Sequence, residues 1–145
     1  PSVNADAVDG YHANELVRFA GAHVDSDALD GVSGVAATVE ITAPRGGYLV
    51  ISASSDVYNN VTVDGIRCVI EVNGSEIDSS TRNIEVSVAH ENGEENCSTD
   101  AYYTTVLGSD YTVDFTFGSV HASTVVDETV LNVIYIPFGD DGNAP

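Results

Sequence analysis

From residue 35 onward, apolar and polar residues alternate with period two, the pattern of strands that bury one face and solvate the other. Residues 35–42 (VAATVEIT) are the first such run, and Ala43-Pro44-Arg45-Gly46-Gly47 reads as the turn after it. Residues 48–53 (YLVISA) are almost wholly apolar, which places them in the middle of a sheet. A weaker alternation over 57–63 ends at Asp64-Gly65, and residues 66–72 (IRCVIEV) end at Asn73-Gly74. Both dipeptides favour two-residue hairpin turns. Further runs fall at 76–78, 82–90, 101–106, 111–117, 120–126 and 130–138, with ENGEEN (91–96) as an acidic loop. About nine or ten short strands, rich in β-branched residues, predict an all-β fold: an antiparallel β-sandwich, jelly-roll-like.

Before residue 35 the pattern differs. Residues 1–34 are rich in Asp, Ala and Gly, and Asn4-Ala5-Asp6-Ala7-Val8-Asp9-Gly10 recurs as Asp25-Ser26-Asp27-Ala28-Leu29-Asp30-Gly31. Each copy sets a turn-forming Asp before a Gly able to take positive φ. Residues 12–20 (HANELVRFA) have the spacing of about two helical turns, with Leu16, Phe19 and Ala20 on one face. The expected organisation is an extended or short-helical arm over 1–34, a sandwich over 35–139 and an acidic tail over 140–145. The chain begins at Pro1 without a visible signal peptide, as expected of a mature form or an excised domain.

At 145 residues the chain is one domain's worth of material. It carries 23 acidic and four basic side chains, all of the latter arginine, for a net charge of −19. That excludes a reader of duplex nucleic acid, which must displace phosphate counterions with a basic patch. It also opposes docking on an anionic membrane, and no apolar run is long enough for a spanning helix. A folded polyanion repels itself, and screening salt or bound cations relieve the cost. An Asp-rich, lysine-free chain therefore suits brine, seawater or divalent cations, with simple solubility of an extracellular domain as the alternative.

Cys68 and Cys97 match no zinc spacing. They read as one disulfide, which implies an extracellular or cell-surface location. His12, His23, His90 and His121 are scattered, never in a metalloprotease pair, and no nucleophile elbow or phosphate-cradling loop is present. His90-Glu91 is a weak metal candidate that an exposed polar loop explains as well. Without Trp the chain also lacks the usual sugar-stacking platform, and the reading is of a protein that is not an enzyme.

Calcium is the sharpest chemical expectation. The two repeats offer Asn4, Asp6, Asp9 and Asp25, Asp27, Asp30 as oxygen ligands from Gly-relieved loops, though the spacing departs from the EF-hand and lacks its bidentate Glu. Asx turns account for the same residues without a metal. Three Asn-x-Ser/Thr sequons, at Asn60, Asn73 and Asn96, are candidate glycosylation acceptors. Tyr102, Tyr103 and Tyr111 offer a recognition surface or, more usually in a sandwich, core and rim.

Two stretches resemble known families. NADAVDGYHANELVR is similar to the ADxLDGxHA element of phage tail fibres and microbial surface proteins, where it precedes a β-rich module. Ala43-Pro44-Arg45-Gly46-Gly47-Tyr48-Leu49-Val50, the hairpin at 105–113 and the closing strand at 131–139 resemble the C1q/TNF-like jelly-roll heads of trimeric fibres. The combined expectation is a secreted, non-enzymatic structural subunit whose partner is itself, assembling into an extracellular fibre or filament through arm exchange and cation bridging. The alternative is a trimeric head that binds a receptor or cell-surface glycan.

Overall fold

The computed structural model describes residues 7–8, 11–12, 16–25, 28–59, 63–87, 94–118, 121 and 123–138. Two short strands, β1 (Ala7–Val8) and β2 (Tyr11–His12), pair with each other. The remaining strands are β3 (Arg18–Val24), β4 (Leu29–Asp30), β5 (Gly34–Ala43), β6 (Gly47–Asn59), β7 (Asp64–Val72), β8 (Ser75–Glu76), β9 (Arg82–Val86), β10 (Glu94–Thr105), β11 (Ser109–Gly118) and β12 (Thr124–Pro137). They form two antiparallel sheets. Sheet I runs β10-β6-β12-β3, with β4 beside β3 on β12; sheet II runs β5-β11-β7, with β8 and β9 both on β7. From β5 to β12 the chain winds between the two sheets in the manner of a jelly roll, and YLVISA lies centrally in β6, as its apolarity requires.

The sheets face each other across one core. Leu49, Ile51, Leu131, Val133 and Tyr135 project from sheet I against Ile66, Ile70, Val113, Phe115 and Phe117 of sheet II, all essentially solvent-free. One side of the sandwich is fastened by the Cys68–Cys97 disulfide between β7 and β10, both cysteines buried, and by the Thr99 hydroxyl donating to the Ser80 carbonyl at 2.6 Å. The other side is joined where Arg18 of β3 donates to the Thr42 carbonyl of β5.

Several elements differ from the sequence expectation. Among the described residues the only helical turn is a 3-10 turn at Asp78–Ser80. Of the stretch expected to be helical (12–20), His12 lies in β2, residues 13–15 lie outside the described residues, and Arg18, Phe19 and Ala20 open β3. There Phe19, Gly21 and His23 face out while Ala20, Ala22 and Val24 face the core, so period two prevails once β12 offers an edge. Part of the segment expected as an arm is thus docked on its own sandwich, through β3 and β4. The runs at 48–53 and 57–63 are not separate: β6 continues through Ser54 and Asp56, which point outward. Ser55, buried, donates to the Asp127 carbonyl at 2.7 Å and meets the Thr129 hydroxyl at 2.8 Å. Those bonds pin a bulge in β12 between Asp127 and Val130, where Glu128 takes φ 43°; the two closing runs are therefore one strand with a kink. The acidic ENGEEN segment is also part strand, since Glu94, Glu95 and Asn96 pair with Tyr58, Val57 and Asp56. Asn73 (φ 51°) and Gly74 (φ 75°) form the turn their sequence predicts.

Candidate functional site

Antiparallel register places side chains from adjacent strands in rows across a sheet, with neighbours in a row about 4.8 Å apart. On the outer face of sheet I two such rows are apolar. Tyr102, Val50, Ile134 and Phe19 align across β10, β6, β12 and β3, and Tyr48 lies beside Ile136 in the next row. Phe19 is 68 % exposed and Tyr102 71 %, and Val17, Ile134, Ile136 and Tyr48 are also open to solvent. In the β10–β11 turn, which passes from sheet I to sheet II, Val106 and Leu107 are exposed at the tip and Gly108 (φ 69°) closes it. The turn is held by the Val106 N–H donating to the Tyr111 hydroxyl at 2.9 Å, and Tyr48 packs edge-on against Phe138.

One step further along the strands the face turns polar. Gly21, Asn132, Ser52 and Asp100 form the next row, then His23, Val130, Ser54 and Ser98. The short side chains leave an open hollow of about 260 Å³. Arg82, from the start of β9, stands at its rim and donates through Nη1 to the carbonyls of Ser79 and Thr81 at 3.2 and 2.8 Å.

The outer face of sheet II has the opposite character. Thr38 donates to Asp114 and Thr42 to Asp110, each at 2.6 Å, and Glu40 and Glu71 add further carboxylates. Arg67 grips Glu76 through two guanidinium nitrogens, and this bond holds the Glu76 carboxyl below its ordinary pKa while raising that of Arg67.

The residues singled out from the sequence are spread widely. Of the calcium candidates, Asn4, Asp6, Asp9 and Asp27 lie outside the described residues; Asp25 Oδ1 lies 3.1 Å from His23 Nε2, and the backbone of Asp30 in β4 pairs with Val125 of β12. Among the described residues no three His, Cys, Asp or Glu side chains are grouped to hold a metal ion. Asn60, His90 and Glu91 likewise lie outside the described residues. The Asn73 side-chain oxygen accepts from the Thr112 N–H, and Asn96 donates through Nδ2 to Asp56 at 2.9 Å. Tyr111 is core and Tyr103 half-buried against it, edge to face, which leaves Tyr102 as the member of the trio on the surface.

One contact has the outline of a nucleophile pair without a carboxylate on its imidazole among the described residues. The Ser123 hydroxyl lies 2.9 Å from His121 Nδ1 and donates to the Asn59 side-chain oxygen. Asp64, which would have to orient the imidazole, instead accepts from the His121 backbone N–H and the Thr124 hydroxyl, both at 2.7 Å. The network ties the ends of β6, β7 and β12 together around buried Asn59 and Thr124. Sequence reasoning took Asp64-Gly65 for a turn and missed this anchoring role, which no local pattern signals.

No protein-family profile and no curated protein sequence matches the chain. Solved structures do. A component of the tripod from the baseplate of bacteriophage Tuc2009 superposes with a TM-score of 0.56 at 18 % identity, over 94 % of this chain and 72 % of that one. A protein of the T13 particle of infectious bursal disease virus gives 0.53 at 12 % identity, over 94 % of this chain and 35 % of that one. A protein of the Gx strain of the same virus gives 0.50 at 10 % identity, over 97 % and 38 %. The chain thus spans little more than a third of the two viral proteins. At such identities the likeness shows a common sandwich fold.

Proposed function

We propose that this chain is a non-enzymatic structural subunit of an extracellular or particle-surface assembly, and that it associates with copies of itself through the apolar rows of sheet I where they cross β3, β12 and β6, leaving Tyr102 on β10 uncovered. The carrying observation is the exposed band of Val17, Phe19, Ile134, Ile136 and Tyr48, free of charge on a chain of net charge −19. A contiguous apolar patch on a soluble domain marks a surface that is covered in use. On a polyanion, two copies approach at least electrostatic cost where neither carries charge. The band has the same character on every copy, so it can form a self-complementary contact. The similar structures support this reading, since a baseplate tripod and a viral particle are themselves assemblies of many subunits. The buried disulfide fits an oxidising compartment.

The test is the mass of the purified chain by light scattering at 1 M NaCl, beside the Phe19→Asp variant, each with Ca²⁺ and with EDTA. The reading expects a discrete oligomer or growing polymer for the native chain and a monomer for the variant. A native monomer under every condition overturns it. Assembly lost on chelation adds cation bridging to the contact; assembly indifferent to EDTA assigns it to the apolar band alone.

A further inference from the structure

Beyond self-association, we infer that the polar hollow beside the apolar band is a binding site for an uncharged saccharide. Four features converge there. Asp100 and Asn132 present side-chain acceptors and donors from the same cross-strand row, with Ser52 between them. Arg82 adds a guanidinium at the rim; its bonds run to backbone carbonyls, and among the described residues it forms no ion pair, so donor capacity remains for a ligand. Tyr102 lies two residues along β10 from Asp100, so both project from one face about 6.8 Å apart. Tyr102 is 71 % exposed, which sets an open aromatic side chain beside the hollow.

A carboxylate, an amide and a guanidinium around a shallow floor, with an aromatic face at one side, match the chemistry of a sugar ring. Vicinal hydroxyls both donate to Asp100 and accept from Arg82 and Asn132, while the C–H face of the ring lies on the tyrosine. An apolar ligand would leave these polar groups unpaired, which is costly. The net charge of −19 selects against sialylated, uronic or sulfated glycans. The floor is short because Ser52, Ser54 and Ser98 stand there, and at Gly21, the cross-strand neighbour of Asn132, a Cβ would come within 2.9 Å of Asn132 Oδ1, crowding the side chain the site uses.

The experiment applies the full chain to a printed array of neutral hexose and N-acetylhexosamine oligosaccharides with sialylated and sulfated glycans alongside. The strongest neutral glycan is then titrated against native chain, Asp100→Asn, Tyr102→Ala and the sheet II control Asp114→Asn, with thermal melts confirming that each variant folds. Expected are retention of neutral glycans, at least 10-fold weaker binding for Asp100→Asn and Tyr102→Ala, and unchanged binding for Asp114→Asn. No retention of any glycan, retention of anionic glycans only, or equal binding by Asp100→Asn and Tyr102→Ala would each overturn the site. Phe19→Asp is carried through the same titration. Unchanged affinity per chain in that monomeric variant supports a site complete in one protomer, and loss of binding there overturns it.

Discussion

The two outer faces of the sandwich sit on sheets of similar size, yet they solve the problem of a −19 charge in opposite ways. Sheet II carries its carboxylates openly and supplies each of two aspartates with a threonine donor from the neighbouring strand, Thr38 to Asp114 and Thr42 to Asp110. Sheet I keeps charge off its apolar rows altogether and leaves Phe19, Ile134, Ile136 and Tyr48 exposed. A face that pairs and solvates its charges is one that stays in water. Rows that exclude charge while exposing aromatic and branched side chains are prepared to be covered. The difference assigns repulsion to one side of the molecule and contact to the other.

The strongest way to break this contrast is to move a charge from one face to the other. Ile134→Asp sits in the middle of the apolar rows and should weaken self-association roughly 100-fold or more, a loss typical of a central contact residue. Thr112→Asp, at the matching depth of sheet II, should change it less than two-fold, and sedimentation equilibrium of both variants reads the comparison directly. Next in size is the fastening between the sheets. Replacing Cys68 and Cys97 by alanine should cost about 2–5 kcal/mol in urea unfolding, because the cross-link constrains the unfolded chain and both sulfurs are buried.

Smaller effects sharpen the contrast between the sheets themselves. Thr116, facing outward from β11, has a buried hydroxyl without a hydrogen-bond partner among the described residues. Thr116→Val should therefore stabilise by about 1 kcal/mol, seen as a higher urea midpoint at unchanged slope. On sheet I the strained residue is Glu128 at φ 43°, and Glu128→Gly should be neutral to about 1 kcal/mol stabilising, since glycine adopts that conformation without penalty. The smallest effect is the exposed Arg67–Glu76 pair. Its bond lowers the Glu76 pKa, so its stabilisation is present above the ordinary glutamate value and fades as pH falls through the lower folded one. Glu76→Gln should show a slight loss at neutral pH that salt removes.

How far the sequence foretold these faces depends on the range of the pattern. The core of sheet II was legible because β11 alternates strictly, β7 alternates apart from buried Val69, and β7 ends at a turn with recognisable chemistry, Asn73-Gly74. The lengths of β6 and β12 were not. Ser54-Ser55-Asp56 looks like a loop until Ser55 is seen bonded to a bulge 72 residues away, and that partner is invisible to a local reading. The start of β3 is hidden for a similar reason: Arg18, Phe19 and Ala20 close a stretch with helical spacing, and only the edge of β12 makes their alternation matter. The candidate site was harder still. Tyr102 stands out in sequence as an aromatic, but Phe19, Ile134, Asp100 and Asn132 acquire meaning only from the register that places them in rows across four strands. The calcium candidates cluster in sequence, whereas of the described pair Asp25 is engaged with His23.

The most direct test of the contrast is the salt dependence of self-association. An apolar contact between two polyanions must tighten as salt screens their repulsion, with the Debye length falling from about 10 Å at 0.1 M to about 3 Å at 1 M. We would measure the dissociation constant by sedimentation at pH 7 across that range. The account predicts at least a 10-fold tightening between the two concentrations. Weakening with salt would mean that the contact is made by opposite charges, and it would contradict the assignment of the apolar rows of sheet I as the joining surface.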